Sequence, residues 1–95
     1  MKKHEIARAI ARETSITYSQ ALTAIDTLKT LIIETVARGE RVTLRDLGYF
    51  DTREWKGRTV KNKLLDGTFP IPSHRVPTFH PSGKFRRAVR RCLHH

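Results

Sequence analysis

The 95 residues include one cysteine, Cys92, and only nine acidic side chains. A single cysteine excludes an intrachain disulfide and suits a reducing, cytoplasmic compartment. The chain also lacks a long hydrophobic run. Its longest apolar cluster, Leu31-Ile32-Ile33, falls far short of the ~20 residues a membrane span needs, so no membrane is expected among its partners. Lys2 and Lys3 resemble the charged start of a leader, but Glu5, Arg8, Arg12 and Glu13 interrupt any apolar stretch behind them, and no export signal is read. Chemistry-bearing motifs are missing as well. There is no glycine-rich phosphate loop, and His4, His74, His80, His94 and His95 do not fall at H-E-x-x-H spacing. Cys92 with His94 and His95 is only a fragment of a ligand set. No His and acid pair can be named to orient Cys92 as a nucleophile. The chain is therefore read as non-enzymatic, with no catalytic residue, no metal and no cofactor.

What is present is positive charge, unevenly placed. Nineteen Lys and Arg give a formal net charge of +10, which favours a polyanionic partner. Residues 1–40 hold six basic side chains (Lys2, Lys3, Arg8, Arg12, Lys29, Arg38) against five acidic ones (Glu5, Glu13, Asp26, Glu34, Glu40), and residues 41–95 carry the remaining +9. A near-neutral half joined to a strongly basic one reads as a scaffold plus a binding surface.

Ile6 and Ile10, four apart beside Ala7 and Ala9, predict a short helix at about residues 3–13. Thr17 followed by Gln20 has capping-box spacing and opens a second helix. Its apolar positions Ala21, Ala24, Ile25, Leu28, Leu31, Ile32 and Val36 run to Gly39, a C-terminal stop. With Leu22 and Ile33 added, that apolar face is wider than one short helix covers. It fits a subunit interface and an ordinary core helix equally well. Arg41 to Leu44 and Tyr49 to Trp55 predict two antiparallel strands around Asp46-Leu47-Gly48. From Lys56 to about Thr68 the chain is basic and poor in core residues, with a turn dipeptide at Asp66-Gly67. It reads as an exposed β-arm returning through Phe69-Pro70-Ile71-Pro72, the prolines confining that strand to an edge. Val76 to Phe79 predicts another strand, and Lys84 to about Leu93 a terminal helix with Phe85, Ala88, Val89 and Cys92 on one face. Periodicity assigns Val42, Leu44, Phe50, Val76 and Phe79 to the core.

This order, and the residues at its joints, resemble the HU/IHF family of bacterial DNA-bending proteins along essentially the whole chain. The matching pieces are Gly39-Glu40-Arg41-Val42-Thr43-Leu44, then Leu47-Gly48-Tyr49-Phe50 at the family's GFGxF turn, and Gly57-Arg58 opening the arm. Ile71-Pro72-Ser73, Val76-Pro77-Thr78-Phe79, Pro81 and the basic terminal helix follow. Phe50-Asp51-Thr52-Arg53, and Pro70 before Ile71, look nearer to IHF than to HU. The resemblance implies one α+β domain built as an intertwined dimer. Each chain would supply two N-terminal helices, a three-stranded antiparallel sheet with an extended β-arm, and a C-terminal helix. Residues 1–40 would form the dimerisation body, 41–81 the saddle sheet and arm (the arm at about 53–75), and 82–95 the last helix and tail. The partners implied are double-stranded DNA and either a second copy or a paralogue, in a nucleoid-associated protein.

Candidate DNA-binding residues follow. Arg53, Lys56, Arg58, Lys61 and Lys63 lie on the arm, where neutralised phosphates release counterions and arginine gains from a narrow minor groove. Ser82 and Gly83 sit where a helix N-terminus holds a phosphate, and Lys84, Arg86 and Arg87 follow on the helix that relatives use to clamp flanking DNA. Arg90 and Arg91 lie beyond that zone and fit an added contact or a solubilising tail equally. Lys2, Lys3, Arg45 and Arg75 are further backbone contacts. The arm tip departs from the family's Arg-Asn-Pro, whose proline wedges between base pairs, because this chain has Lys61-Asn62-Lys63. Leu64 or Leu65, two apolar residues in a polar arm, would replace the wedge or else pack within the arm or against the partner. Trp55 fits either stacking on sugar or base, or cross-strand packing at the arm's base. The function expected is to bend or compact duplex DNA through backbone and minor-groove contacts. The alternative is a divergent dimer that binds DNA without kinking it, or binds RNA or a protein.

Overall fold

The computed structural model describes residues 1–62 and 67–93. The predicted elements appear in the predicted order, and the fold is α+β: α1 (Lys3–Thr14), α2 (Tyr18–Ala37), β1 (Val42–Leu44), β2 (Gly48–Trp55), β3 (Arg58–Asn62), β4 (Gly67–Ile71), β5 (His74–Pro81) and α3 (Gly83–Leu93). The chain divides into a helical unit, Met1–Arg38, and a second unit that starts at Gly39.

In the helical unit α1 stops at Ser15, which takes the left-handed conformation (φ 60°). The expected capping box then starts α2. The Gln20 amide N–H donates to Thr17 Oγ1 at 3.0 Å, and the Thr17 N–H donates to Gln20 Oε1 at 2.9 Å. The two helices are tied by Lys3 Nζ donating to Asp26 Oδ1 at 3.1 Å. Their apolar contact is thin. Ala7, Ala21 and Val36 are buried, whereas Leu28, Leu31 and Ile33 are 44%, 56% and 66% exposed.

The second unit is a three-stranded antiparallel sheet in the order β1-β2-β5, a separate β3-β4 ribbon, and α3. β1 and β2 join through a tight turn in which the Leu47 N–H donates to the Leu44 carbonyl and Asp46 adopts φ 69°. Gly48 follows with φ 150°, and a Cβ there would run into the His80 carbonyl and the Phe79 ring, so glycine is required. The same turn seats α3. The Ser82 N–H donates to the Leu47 carbonyl at 2.9 Å, Ser82 Oγ donates to the Asp46 carbonyl at 2.6 Å, and the Phe85 N–H donates to Ser82 Oγ at 3.1 Å.

Three expectations from the sequence are corrected. β5 runs from His74 to Pro81 rather than Val76 to Phe79, because β2 is long enough to pair along its whole length. Val76 does not share a side of the sheet with Phe79, since they lie an odd number of positions, three, apart on a strand whose side chains alternate. In the ribbon Arg58 pairs with Ile71 and Asn62 with Gly67. The return strand therefore ends before Pro72, and Pro70 sits in a strand with an open edge. Lys63, Leu64, Leu65 and Asp66 lie outside the described residues.

Candidate nucleic-acid interface

Residues directly opposite in an antiparallel pair project to the same side, so the register sorts the sheet into two faces. One joins Val42 to Phe50, Leu44 to Gly48, and Phe50 to Phe79. There the Phe50 and Phe79 rings lie 4.8 Å apart, and Phe85 of α3 meets Phe79 edge-on at 6.2 Å. This is the apolar side, which meets α3 through Phe85 and leaves Phe79 40% exposed. The other face carries Tyr49 opposite His80, Asp51 opposite Thr78, Arg53 opposite Val76 and Trp55 opposite His74.

That second face is polar, aromatic and cationic. Tyr49 and His80 stack at 4.6 Å with planes 17° apart, and the Arg41 guanidinium lies 4.1 Å from the Tyr49 ring centre. Arg41 also holds Asp51: Nε donates to Oδ2 at 3.1 Å, and the Thr52 N–H donates to Oδ1 at 2.8 Å. The Thr52 N–H first, then Arg41, keeps the Asp51 carboxyl below its ordinary range. The face's one carboxylate among these pairs is thus balanced within the fold. Further along, Arg53 is exposed, and Trp55 meets His74 at 5.0 Å. Cross-strand packing of Trp55 is present.

The expected site residues separate accordingly. Arg53 stands on the polar face, with exposed Lys56 next to the strand end. Arg58, Lys61 and Asn62 follow on β3 of the ribbon. Arg75 is elsewhere: it opposes Glu54 on the apolar side, and its guanidinium donates to the Thr52 hydroxyl, Nε at 3.2 Å. Arg45 lies in the β1-β2 turn, beside the Asp46 carbonyl that anchors Ser82. The Ser82 hydroxyl is engaged at both ends, as donor to Asp46 and acceptor from Phe85, and so acts as the cap of α3. Beyond it, Lys84, Arg87 and Arg91 recur at helical spacing beside Arg86 and Arg90, all exposed, with Phe85, Val89 and Cys92 on the opposite side. Lys2 and Lys3 belong to the helical unit, where Lys3 is paired with Asp26. Among the described residues, no three His, Cys, Asp or Glu side chains are placed to hold a metal, and no helix is long and apolar enough to cross a membrane.

Arg41, Tyr49 and His80 were not read from the sequence as part of this surface. The signal was there in the period-two alternation Tyr49, Asp51, Arg53, Trp55. It needed the β5 register to bring in His80 and His74.

A sequence model of the family described as bacterial DNA-binding protein matches residues 1–90. The chain belongs to this family. It is similar to the DNA-binding protein HU of Nostoc sp. (strain PCC 7120), with 37% identity over 89 residues that cover 94% of this chain and 95% of that one. It is also similar to the DNA-binding protein HU of Geobacillus stearothermophilus, with 30% identity over 90 residues covering 95% and 100%. Among solved structures, an Anabaena HU-DNA cocrystal structure superposes with a TM-score of 0.85 at 37% identity, covering 94% of this chain and 97% of that one. These relatives carry the HU name, not IHF. The bacterial DNA-binding family thus accounts for the element order from α1 to α3 and for the basic half that the composition singled out.

Proposed function

We propose that this chain is an architectural protein that grips duplex DNA with the polar face of its sheet, its β-arm and its terminal helix, and bends or compacts the duplex. The observation that carries the reading is the division of the sheet: Phe50 and Phe79 gather on one side with Phe85 of α3, and Arg41, Arg53 and Lys56 gather on or beside the other. A duplex supplies what such a face lacks, a dense row of anionic oxygens, and neutralising them releases condensed counterions whatever the base sequence. Arginines on the arm gain further where a narrow minor groove deepens the negative potential.

The chain acts as a dimer in the bacterial nucleoid, within the cytoplasm, pairing with a second copy or a paralogue. Residues 1–40 form the body and residues 41–81, with the arm at about 53–75, the saddle. The exposed Leu28, Leu31 and Ile33 support this, because a domain this short gains core by sharing it. DNA contacts are assigned to Arg53, Lys56, Arg58, Lys61, Asn62 and Lys63 on the arm. Lys84, Arg86 and Arg87, with the backbone of Gly83, meet the flanks, Ser82 being taken up in seating their helix, and Lys2, Lys3 and Arg45 add outlying phosphate contacts. Because Lys63 stands where relatives have the wedge proline, Leu64 or Leu65 is assigned the wedge.

Mobility shifts on duplex DNA, four-way DNA and RNA across a salt series test the grip. Tight duplex binding that weakens linearly in log salt is expected, and salt-insensitive or absent duplex binding overturns the reading. Bending is tested separately by fluorescence transfer between duplex ends. An unchanged bend after Leu64→Ala and Leu65→Ala together removes the wedge assignment, and an unbent wild-type complex favours the non-kinking alternative.

A further inference from the structure

Charge on the polar face of the sheet is distributed row by row. Arg53, opposite Val76, brings an exposed cation to its row. In the next row Asp51, opposite Thr78, is bound by Arg41, so carboxylate and guanidinium cancel. The row after that runs from Thr43 through Tyr49 to His80. His80 is half-buried, its ring stacked on Tyr49 at 4.6 Å, and the Arg41 guanidinium lies 4.1 Å from the centre of the same tyrosine ring. Asp51 stands on the diagonal from His80, a spacing of about 7–8 Å in an antiparallel sheet. Within the sheet, then, Arg41, Tyr49 and Asp51 are the charged or titratable groups that face His80, and the two charges among them are spent on each other.

His80 Nε2 lies 3.1 Å from Thr78 Oγ1. A hydroxyl both donates and accepts, so this contact suits either protonation state of the ring: the neutral nitrogen accepts from Thr78, and the protonated one donates to it. Nδ1 has no hydrogen-bond partner among the described residues. We propose that His80 is a proton-dependent phosphate contact: protonated, it donates through Nδ1 to an anionic oxygen of the duplex and adds the cation that Arg41, tied to Asp51, does not supply. The inference rests on the DNA-gripping role of this face and adds a dependence on protons to it. Histidine ordinarily changes charge between pH 5 and 8, and the tyrosine ring beneath it is a favourable neighbour for the cation. Lysine and arginine keep their charge throughout that range, so pH separates His80 from the other assigned contacts. Because linkage is reciprocal, DNA binds more tightly as pH falls, and bound DNA holds the proton on the ring.

Affinity for one intact duplex is measured at fixed salt between about pH 8 and pH 5.5 for the unaltered protein, His80→Gln and His80→Lys. The exposed His74 of the same face is common to all three, so the differences between them belong to position 80. His80→Gln keeps a hydrogen-bonding side chain beside Thr78 but no charge. It should match the unaltered protein at the alkaline end and bind about tenfold more weakly at the acid end, with a slope of log affinity against log salt shallower there by about one unit per chain. His80→Lys, charged throughout, should bind tightly at both ends. A His80→Gln profile that coincides with that of the unaltered protein, or is displaced from it equally at every pH, means that the ring only packs on Tyr49, and overturns the proposal. Should the variants fail to fold, the His80 ring resonances of the unaltered protein decide, titrated with and without duplex: a midpoint raised by DNA supports the contact, and an unmoved one overturns it. Failure to bind the duplex at any pH overturns the DNA-gripping reading and this contact with it. Duplex binding that ignores the charge at position 80 overturns the contact alone.

Discussion

The helical unit and the sheet unit leave different balances of surface open. In the helical unit charge is nearly balanced, and Asp26 sits between Lys3 and Lys29 at 3.1 and 3.6 Å. What remains exposed there is hydrocarbon: Leu28, Leu31 and Ile33. In the sheet unit an apolar patch at Phe79, Phe85 and Val89 also stays open, but what sets this unit apart is its exposed cation. Water tolerates both, but each is satisfied by a different partner, the first by another apolar protein surface and the second by a polyanion. The proposed division of labour between dimer body and DNA grip would draw on these two kinds of unfinished surface.

The largest effect expected is at the joint that shapes the sheet unit. Gly48→Ala forces a Cβ against the His80 carbonyl and the Phe79 ring at a φ of 150°. Strain of that kind and overpacking each cost about 1–3 kcal/mol. A denaturant titration should show a loss near the top of that range, with DNA binding lost in parallel. A wild-type midpoint would mean the turn is more plastic than its geometry implies.

Next comes the helical unit's open face. Leu28→Asp places a charge where a partner's apolar side chains are expected, and leaving it unpaired there costs several kcal/mol. Sedimentation should show the dimer shifted to monomer, while the same change at Thr30, an exposed polar position of α2, leaves it intact. A dimer that survives Leu28→Asp would move the interface off this face and dissolve the contrast between the units.

Much of this was legible in the chain. The alternation that makes β2, the Thr17–Gln20 box and the Gly39 stop are local signals, and each sits where the sequence places it. The charge division at about residue 40 needed only counting. Which side of the sheet a residue joins was not legible, because that depends on pairing between strands some 25 residues apart. Val76 reads as core by periodicity yet lies opposite Arg53, and Arg75 reads as a DNA contact yet its guanidinium meets Thr52 on the other side. Ser82 carries two roles by residue type, phosphate donor and helix cap, and only the Asp46 carbonyl beside it selects the second.

The two faces can be set against each other by one pair of variants. Arg53→Ala should lower the slope of log affinity against log salt by about one unit, the loss of one phosphate contact. Arg75→Ala should leave that slope unchanged and instead soften thermal stability by about 1 kcal/mol, through the lost hydrogen bonds to Thr52. Equal slopes for the two variants would mean that the register does not sort contacts from supports.

The smallest effect concerns the one carboxylate paired on the cationic face. Asp51 is held ionised by the Thr52 N–H and by Arg41, so its acidity in the fold exceeds that in the unfolded chain. A carboxyl with a depressed folded value contributes stability above the unfolded range, and that contribution disappears as pH falls through the folded value. Thermal midpoints should accordingly drop on acidification below about pH 4. In Asp51→Asn the drop should be shallower, leaving Asp26, lowered mainly by Lys3, as a remaining contributor. At neutral pH the same variant removes a negative charge from the surface assigned to phosphates and releases Arg41 from its partner. DNA should therefore bind modestly tighter, with a salt slope steeper by up to one unit as Arg41 gains a phosphate. A variant that binds more weakly would show that Asp51 is needed to aim Arg41, and that the polar face is organised by its ion pair rather than merely neutralised by it.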